Sequence, residues 1–187
     1  MTERVIVAIT GASGAIYGIR ALQALRQAGV ETHLVVSPPA RLTITHETDF
    51  KVEQVLELAD VHYAPGDIAA AIASGSFGTR GMLVAPCSVK TLSAIANSFD
   101  EDLITRAADV CLKEGRPLVL LLREAPLHRG HLRLMDLAAR AGAVIFPPVP
   151  AFYGRPQTLD DVIDGTVGRA LLRLGLDTPG YTRWTGR

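Results

Sequence analysis

Four short strings in this chain combine residue types that hold anions or move protons, and each directly follows an apolar run. The first is Thr10–Gly18, TGASGAIYG. A glycine turn that opens a helix leaves backbone amides unpaired at the positive end of the helix dipole, which suits a phosphate or another anion. Gly11, Ala12 and Ser13 form that turn. The second string is Ser37-Pro38-Pro39, after Val35-Val36. A nicotinamide dinucleotide site asks for an acid about 20 residues beyond the glycine turn, to hold a ribose. A serine stands there instead, which fits a phosphate or a mononucleotide better. The third is Ala85–Thr91, APCSVKT, where Ser88, Thr91 and the amides of Val89 and Lys90 make a second anion cradle with a lysine beside it. Cys87 in that string is either a nucleophile activated by a helix start or a small buried residue. No histidine is placed beside it, which favours the second. The fourth is Leu122–Pro126, LREAP. An Arg123-Glu124 pair right after a very apolar run makes Glu124 a candidate proton donor or acceptor, because low-dielectric surroundings raise a carboxyl pKa.

Other clusters have plainer alternatives. Glu47, in Thr45-His46-Glu47-Thr48-Asp49, is a less distinctive carboxylate. Arg106 and Lys113 are seven apart, so they share a helix face about 10 Å apart. Asp109 stands between them at ladder spacing, and from spacing alone a solvated salt-bridge ladder is favoured. Asp160-Asp161-Val162-Ile163-Asp164 matches the DDxxD string of magnesium-dependent prenyl-diphosphate enzymes. No second aspartate-rich motif completes a cluster, and acids in the first turns of a helix cap it. His128 and His131 have no third partner, so no metal is expected there.

These strings need a scaffold that collects them, and the rest of the chain supplies one. Apolar runs at Val5–Ile9, Thr32–Val36, Gly81–Ala85, Leu118–Leu122 and Ala143–Phe146 predict buried parallel strands. Between them, amphipathic stretches predict helices opening after Gly14 and ending near Gly29, then mostly over Leu42–Leu58 with a break near Thr48–Phe50. Further helices are predicted over Ile68–Ala73, Lys90–Ala96, Leu103–Lys113, Arg129–Ala141 and from a Thr158 cap to about Leu174. The last carries an apolar stripe of Leu159, Val162/Ile163, Val167 and Leu171, and Gly165 and Gly168 would admit another backbone. Tyr63–Gly66 reads as a loop, and the proline-rich Pro147–Pro156 as a surface loop reaching over something. The expectation is one doubly wound α/β domain over residues 1–187, with helices on both faces of a parallel sheet. In such a sheet ligands bind outside the strands' carboxyl ends, where all four strings fall.

Composition narrows the partners. The 187 residues carry 19 Lys+Arg against 19 Asp+Glu, so no basic face for nucleic acid or anionic membrane is expected. Two cysteines are too few for a disulfide scaffold. No apolar run approaches the roughly 20 residues of a membrane span. The segment before Val5 is unlike a signal peptide, so a cytoplasmic protein is expected.

Six strings, TGASGAIYG, THETD, APCSVKTLSAIA, TRAADVCLKEGRPLVLLLREAPLH, GAVIFPPVPAFYGRPQTLDDVID and a terminal Arg-Trp, together resemble the UbiX/Pad1 flavin prenyltransferase family. The resemblance runs from about Val5 to Trp184. It implies a flavodoxin-like Rossmann fold in a homododecamer built from trimers. It also implies transfer of a dimethylallyl group from dimethylallyl phosphate to reduced FMN without a metal, the product being the cofactor of a UbiD-type decarboxylase. On this resemblance Gly11, Ala12, Ser13, Ser37, Ser88, Val89, Lys90, Thr91 and Arg123 contact FMN, with the Ser13 hydroxyl near flavin N5. Glu47, Arg106, Lys113 and Glu124 surround the reacting phosphate. Tyr153 and Arg169 hold the prenyl phosphate from a neighbouring subunit, and Trp184 is a tail aromatic that closes over the site. Two other readings are a non-catalytic FMN carrier and a flavin-dependent decarboxylase of the cysteine-decarboxylase superfamily, whose Pro-Ala-Ser-Ala-Asn-Thr motif is absent.

Overall fold

The apolar runs become parallel strands because each is apolar on both sides and is joined to the next by a chain long enough to cross the sheet. A computed structural model describes residues 3–178 together with Tyr181, Arg183 and Gly186. The strands are β1 (Arg4–Ile9), β2 (Glu31–Val36), β3 (Val61–Tyr63), β4 (Met82–Cys87), β5 (Leu118–Leu122) and β6 (Val144–Ile145). They form one parallel sheet in the order β3-β2-β1-β4-β5-β6. With the three-residue edge strand β3 set aside, the other five follow the 2-1-3-4-5 order of flavodoxin-like folds. The winding reverses between β1 and β4.

Alternation along the strands splits the core in two. Val5, Val7, Ile9, Leu34 and Val36 face helices α1 (Ala15–Gln27), α2 (Pro38–Glu47), α3 (Val52–Leu56) and α7 (Leu159–Leu172). Ile6, Ala8, Met82 and Val84 face α4 (Val89–Ala96), α5 (Leu103–Lys113) and α6 (Arg129–Arg140). Each Leu or Ile buried this fully contributes about 1.5–3 kcal/mol. Helices α1, α4, α5, α6 and α7 start within a residue of expectation, but α2 starts at Pro38 and not at the expected Leu42, because the Ser37 cap and the prolines after it open the helix there. Ser37, Ser88, Asp102 and Thr158 each cap the amide three residues on. On the first face, Arg20 of α1 forks onto Asp164 of α7 at 2.8 and 3.1 Å and locks the two helices together.

Three further expectations need correction. Val61–Tyr63 is a strand that was not expected, and the loop expected over Tyr63–Gly66 begins only after Tyr63. Val61 and His62 are exposed, and the strand is held by its pairing to β2, which leaves no apolar pattern to read. The helix expected over Ile68–Ala73 shrinks to a 3-10 turn at Ala71–Ala73. Ile68 is exposed, and Ser74, Gly75 and Ser76 stop the turn from growing. Leu159 is 75% exposed, since it lies in the first turn of α7 before the buried stripe begins at Ile163.

Candidate functional site

Where the winding reverses, the tips of β1 and β4 diverge and open a crevice. Thr10 ties its floor. Its hydroxyl donates to the Pro86 carbonyl and accepts the Ser88 amide, both at 2.8 Å. Above this tie lies a cleft of about 530 Å³. Gly11, Ala12, Ser13, Ser37, Ser88, Val89, Lys90, Thr91 and Arg123, spread over four loops of the sequence, all line it, and Glu124 stands beside them. The hydroxyls of Ser37 and Ser88 also accept the amides of Ala40 and Thr91, each at 3.2 Å, so they are fixed in direction. The Thr91 hydroxyl lies 3.1 Å from that of Ser88. The Ala12 amide donates to the Thr10 carbonyl and that of Gly14 to Glu47, so these serines, the Gly11 and Ser13 amides and an Arg123 guanidinium without a salt bridge among the described residues give an anion-binding wall with hydroxyls along it.

Two details depart from expectation. Lys90 does not point into the cradle as a free cation. Its ammonium sits 2.8 Å from Glu101, and that hydrogen bond holds it above the usual lysine range. Glu124 is exposed in the protomer and accepts its neighbour Ala125's amide, so the low-dielectric surroundings assumed for it are not supplied by this chain alone. Glu101 and Asp102 also line the cleft and were not anticipated. The only signal for them was the position of Asp102 as a helix cap before Leu103.

Glu47 lies behind the first loop, its carboxylate accepting the Gly14 amide at 2.7 Å. A negative group there also complements the α1 dipole. Tyr17, one turn into α1, has its phenol pushed up by burial, with Arg123 near enough to pull it back.

The remaining candidates lie elsewhere in the protomer. Tyr153 and Arg169 line a separate cavity of about 370 Å³ between the proline-rich strap and α7, which shares no lining residue with the cleft. There the Tyr153 hydroxyl lies 3.1 Å from that of Tyr181, a hydrogen bond that pushes the Tyr153 phenol up. Tyr181 also packs on Gly168, as a close backbone approach there required, with its Cα 3.4 Å from where a Cβ would stand. Arg106 and Lys113 line neither cavity. Asp102 caps α5 at the cleft, and Lys113 lies 11 residues on, about 16 Å down the axis. The expected ladder is half present. Arg106 reaches Asp109 at 3.5 Å and Asp100 at 3.1 Å, while Lys113 pairs with Glu114 instead. Trp184 lies outside the described residues.

The aspartates of the Asp160–Asp164 string are taken up by structural contacts. Asp161 accepts the amides of Gln157 and Thr158, and Asp160 and Asp164 both engage Arg20. Among the described residues no group of three His, Cys, Asp or Glu could hold a metal. Cys87 is fully buried and its thiol is pushed up to about 12, with Cys111 at about 11. At pH 8 about one Cys87 thiol in 10⁴ is then ionised. Iodoacetamide at that pH should leave both cysteines unlabelled in folded protein and label both in urea, read by intact mass.

The flavoprotein family matches residues 1–171. Flavin prenyltransferase UbiX of Escherichia coli K12 is 59% identical over 187 residues, covering 98% of this chain and 99% of that protein. The chain belongs to the UbiX flavin prenyltransferase family. Its fold superposes on the crystal structure of AnUbiX (PadA1) in complex with FMN and dimethylallyl pyrophosphate with a TM-score of 0.97, at 53% identity and 100% coverage of both. It also matches a dodecameric FMN-dependent UbiX-like decarboxylase from Escherichia coli O157:H7 with a TM-score of 0.94, at 49% identity, covering 98% of this chain and 100% of that one. No helix among the described residues is long and apolar enough to cross a membrane.

Proposed function

We propose that this chain joins the dimethylallyl group of dimethylallyl phosphate to reduced FMN, in a site completed by a neighbouring copy. One observation carries the reading. All nine positions that the resemblance gives to FMN line one cleft with Glu124 beside them, while Tyr153 and Arg169 line a separate cavity and Arg106 and Lys113 line neither. A single chain cannot bring the two sets together. A homo-oligomer can, and the E. coli relative described as dodecameric supports one.

The residues present fit a flavin mononucleotide: hydroxyls and free amides for its phosphate and ribityl chain, and Arg123 for the polar edge of the ring. Bound reduced FMN supplies the nucleophilic N5 and C6 positions. The protein's task is then to hold the allylic carbon against them and to make phosphate a tolerable leaving group. As the carbon–oxygen bond breaks, the electron pair goes to the phosphate. Arg106, Lys113 and Arg169 neutralise that charge, and Glu124 donates a proton to it. The Glu47 oxygen not engaged by Gly14 takes up the proton displaced from the ring. Ser13, exposed at the tip of the first loop, orients the reacting edge. The aromatic Trp184 covers the allylic group, where a ring face stabilises developing positive charge by about 1–2 kcal/mol. The product serves a UbiD-type decarboxylase. Both substrates are water-soluble, which is why we place the reaction in the cytoplasm.

Anaerobic incubation with reduced FMN and dimethylallyl phosphate should release a flavin heavier by one isoprene unit. Return of unmodified FMN would make the chain a flavin carrier.

A further inference from the structure

We propose that Gly75, together with Glu114, is a positioning residue for Lys113 and through it for departure of the phosphate; this rests on the assignment of Lys113 to the phosphate made above. The segment from Ala73 to Phe77 runs along the polar side of α5 and is anchored to it by arginines. Arg106 Nε donates to the Ala73 carbonyl at 3.2 Å. Arg116 donates to the Phe77 and Gly75 carbonyls at 2.8 and 2.6 Å. Between these anchors the Lys113 ammonium and the Glu114 carboxylate pair with each other and lie directly over Gly75. A Cβ on Gly75 would stand 2.8 Å from Lys113 Nζ and 2.7 Å from Glu114 Cδ, and would overlap the carboxylate oxygen.

Gly75 is not among the glycines with positive φ, so its backbone does not require glycine. What requires it is the space its missing side chain leaves for the ion pair. The segment cannot back away either, because Arg116 holds the Gly75 carbonyl. The ammonium therefore rests on a backbone surface, with Glu114 on one side, and presents its remaining hydrogens outward from α5. The added methyl of Gly75→Ala would meet only the tips of two flexible charged side chains, which can swing into water. That substitution displaces the ammonium and leaves the fold alone.

The test is kinetic. Gly75→Ala should lower turnover of dimethylallyl phosphate by about 10–100-fold, the cost of an ångström-scale misplacement. The loss should fall on kcat more than on KM, because Lys113 acts on charge that develops as the bond breaks. FMN affinity should stay within about twofold, and Tm within about 2 °C. In a Lys113→Ala background Gly75→Ala should cost nothing further, since the group it displaces is gone. Wild-type turnover in Gly75→Ala alongside a crippled Lys113→Ala overturns the role of Gly75 alone. So does an additive loss in the double variant. A fully active Lys113→Ala overturns the assignment of Lys113 and this inference with it. Should Gly75→Ala lower Tm by more than about 5 °C, Glu114→Ala frees the ammonium from its other side without adding bulk. It carries the same expected kcat loss and the same lack of effect in the Lys113→Ala background.

Discussion

Replacing Arg106 and Lys113 together by alanine should lower prenyl transfer by about 10²–10³-fold or more, the scale on which removal of a single preorganised charge-stabilising donor is felt. FMN binding should change little, because the positions given to FMN all lie in the cleft and neither side chain is among them. Nor should the fold suffer much. Both lie on the polar side of α5, partly exposed, and exposed ion pairs of this kind contribute about 0–1 kcal/mol. A variant that folds, binds flavin and fails to transfer would separate the two readings of these residues. The ladder reading predicts wild-type turnover. The shared-site reading also predicts complementation. Oligomers assembled from subunits lacking the α5 cations and subunits carrying Glu124→Gln should recover part of the activity that each variant lacks alone. Some of their sites then draw an intact cleft from one copy and intact cations from the other. Recovery would be read as prenylated flavin per subunit, by mass. Full transfer by the double-alanine variant would leave Arg106 and Lys113 as surface ladder residues.

What made the cleft legible was that its residues sit where a parallel sheet must put ligands. Ser37, Ser88 and Arg123 each follow a strand whose apolar run is unmistakable; the ends before Ser37 and Arg123 fall where expected, and β4 runs two residues past the expected Ala85, up to Ser88 itself. Their side chains did not have to be predicted to converge, because the topology makes their loops neighbours. By contrast, nothing local tells whether Arg106 and Lys113 belong to a ladder or to a site. That depends on which surface of another chain faces α5, and a helix face carries no record of its partner. Even the side-chain pairing was only half legible. Arg106 found Asp109 as spacing allows, yet Asp100, from the loop before the helix, comes closer.

The misread elements share a cause. Val61–Tyr63 and Ala71–Ala73 are three residues each, too short for either a period of two or of 3.6 to declare itself. Both are specified by long-range pairing: the strand by β2, the turn by α5 and Arg106. That a segment with so little local signal carries the surface on which Lys113 rests shows why sequence pattern alone passes over positioning residues. Lys90 illustrates the reverse error. Its type suited an anion cradle, but Glu101, eleven residues on, is close enough to take the charge.

The largest effect on stability should come from a single methyl at Gly18. This glycine is buried in the first turns of α1, where the helix lies against β4. A Cβ there would overlap the Ala85 carbonyl oxygen and approach Ile9 Cγ1 to 2.7 Å. Ala85 lies in β4 one residue past the last β1–β4 pair at Val84 and one before Pro86, whose carbonyl accepts both the amide and the hydroxyl of Thr10, so it has little room to yield. Two opposing terms decide the sign. Alanine is favoured over glycine within a helix by about 1 kcal/mol. Overpacking a close-packed core costs about 1–3 kcal/mol and more when backbone must shift. Here the contact is with backbone, so the second term wins. Gly18→Ala should destabilise the protein by about 2 kcal/mol, seen as a fall in Tm of about 4–8 °C. Gly165→Ala in α7 isolates the first term, since a Cβ there meets nothing within 4 Å in the protomer, and it should hold Tm or raise it. The two substitutions are chemically identical and both helical, so opposite signs would locate the cost in the α1–β4 contact. Because α1 carries Gly11–Gly14 at its start, pushing it off the sheet also tilts the amides of the flavin cradle. FMN affinity should therefore fall with Tm in Gly18→Ala and hold in Gly165→Ala. A Gly18→Ala protein as stable as its parent would mean that α1 can slide over β4, and that the cleft is not braced by the sheet in the way its geometry implies.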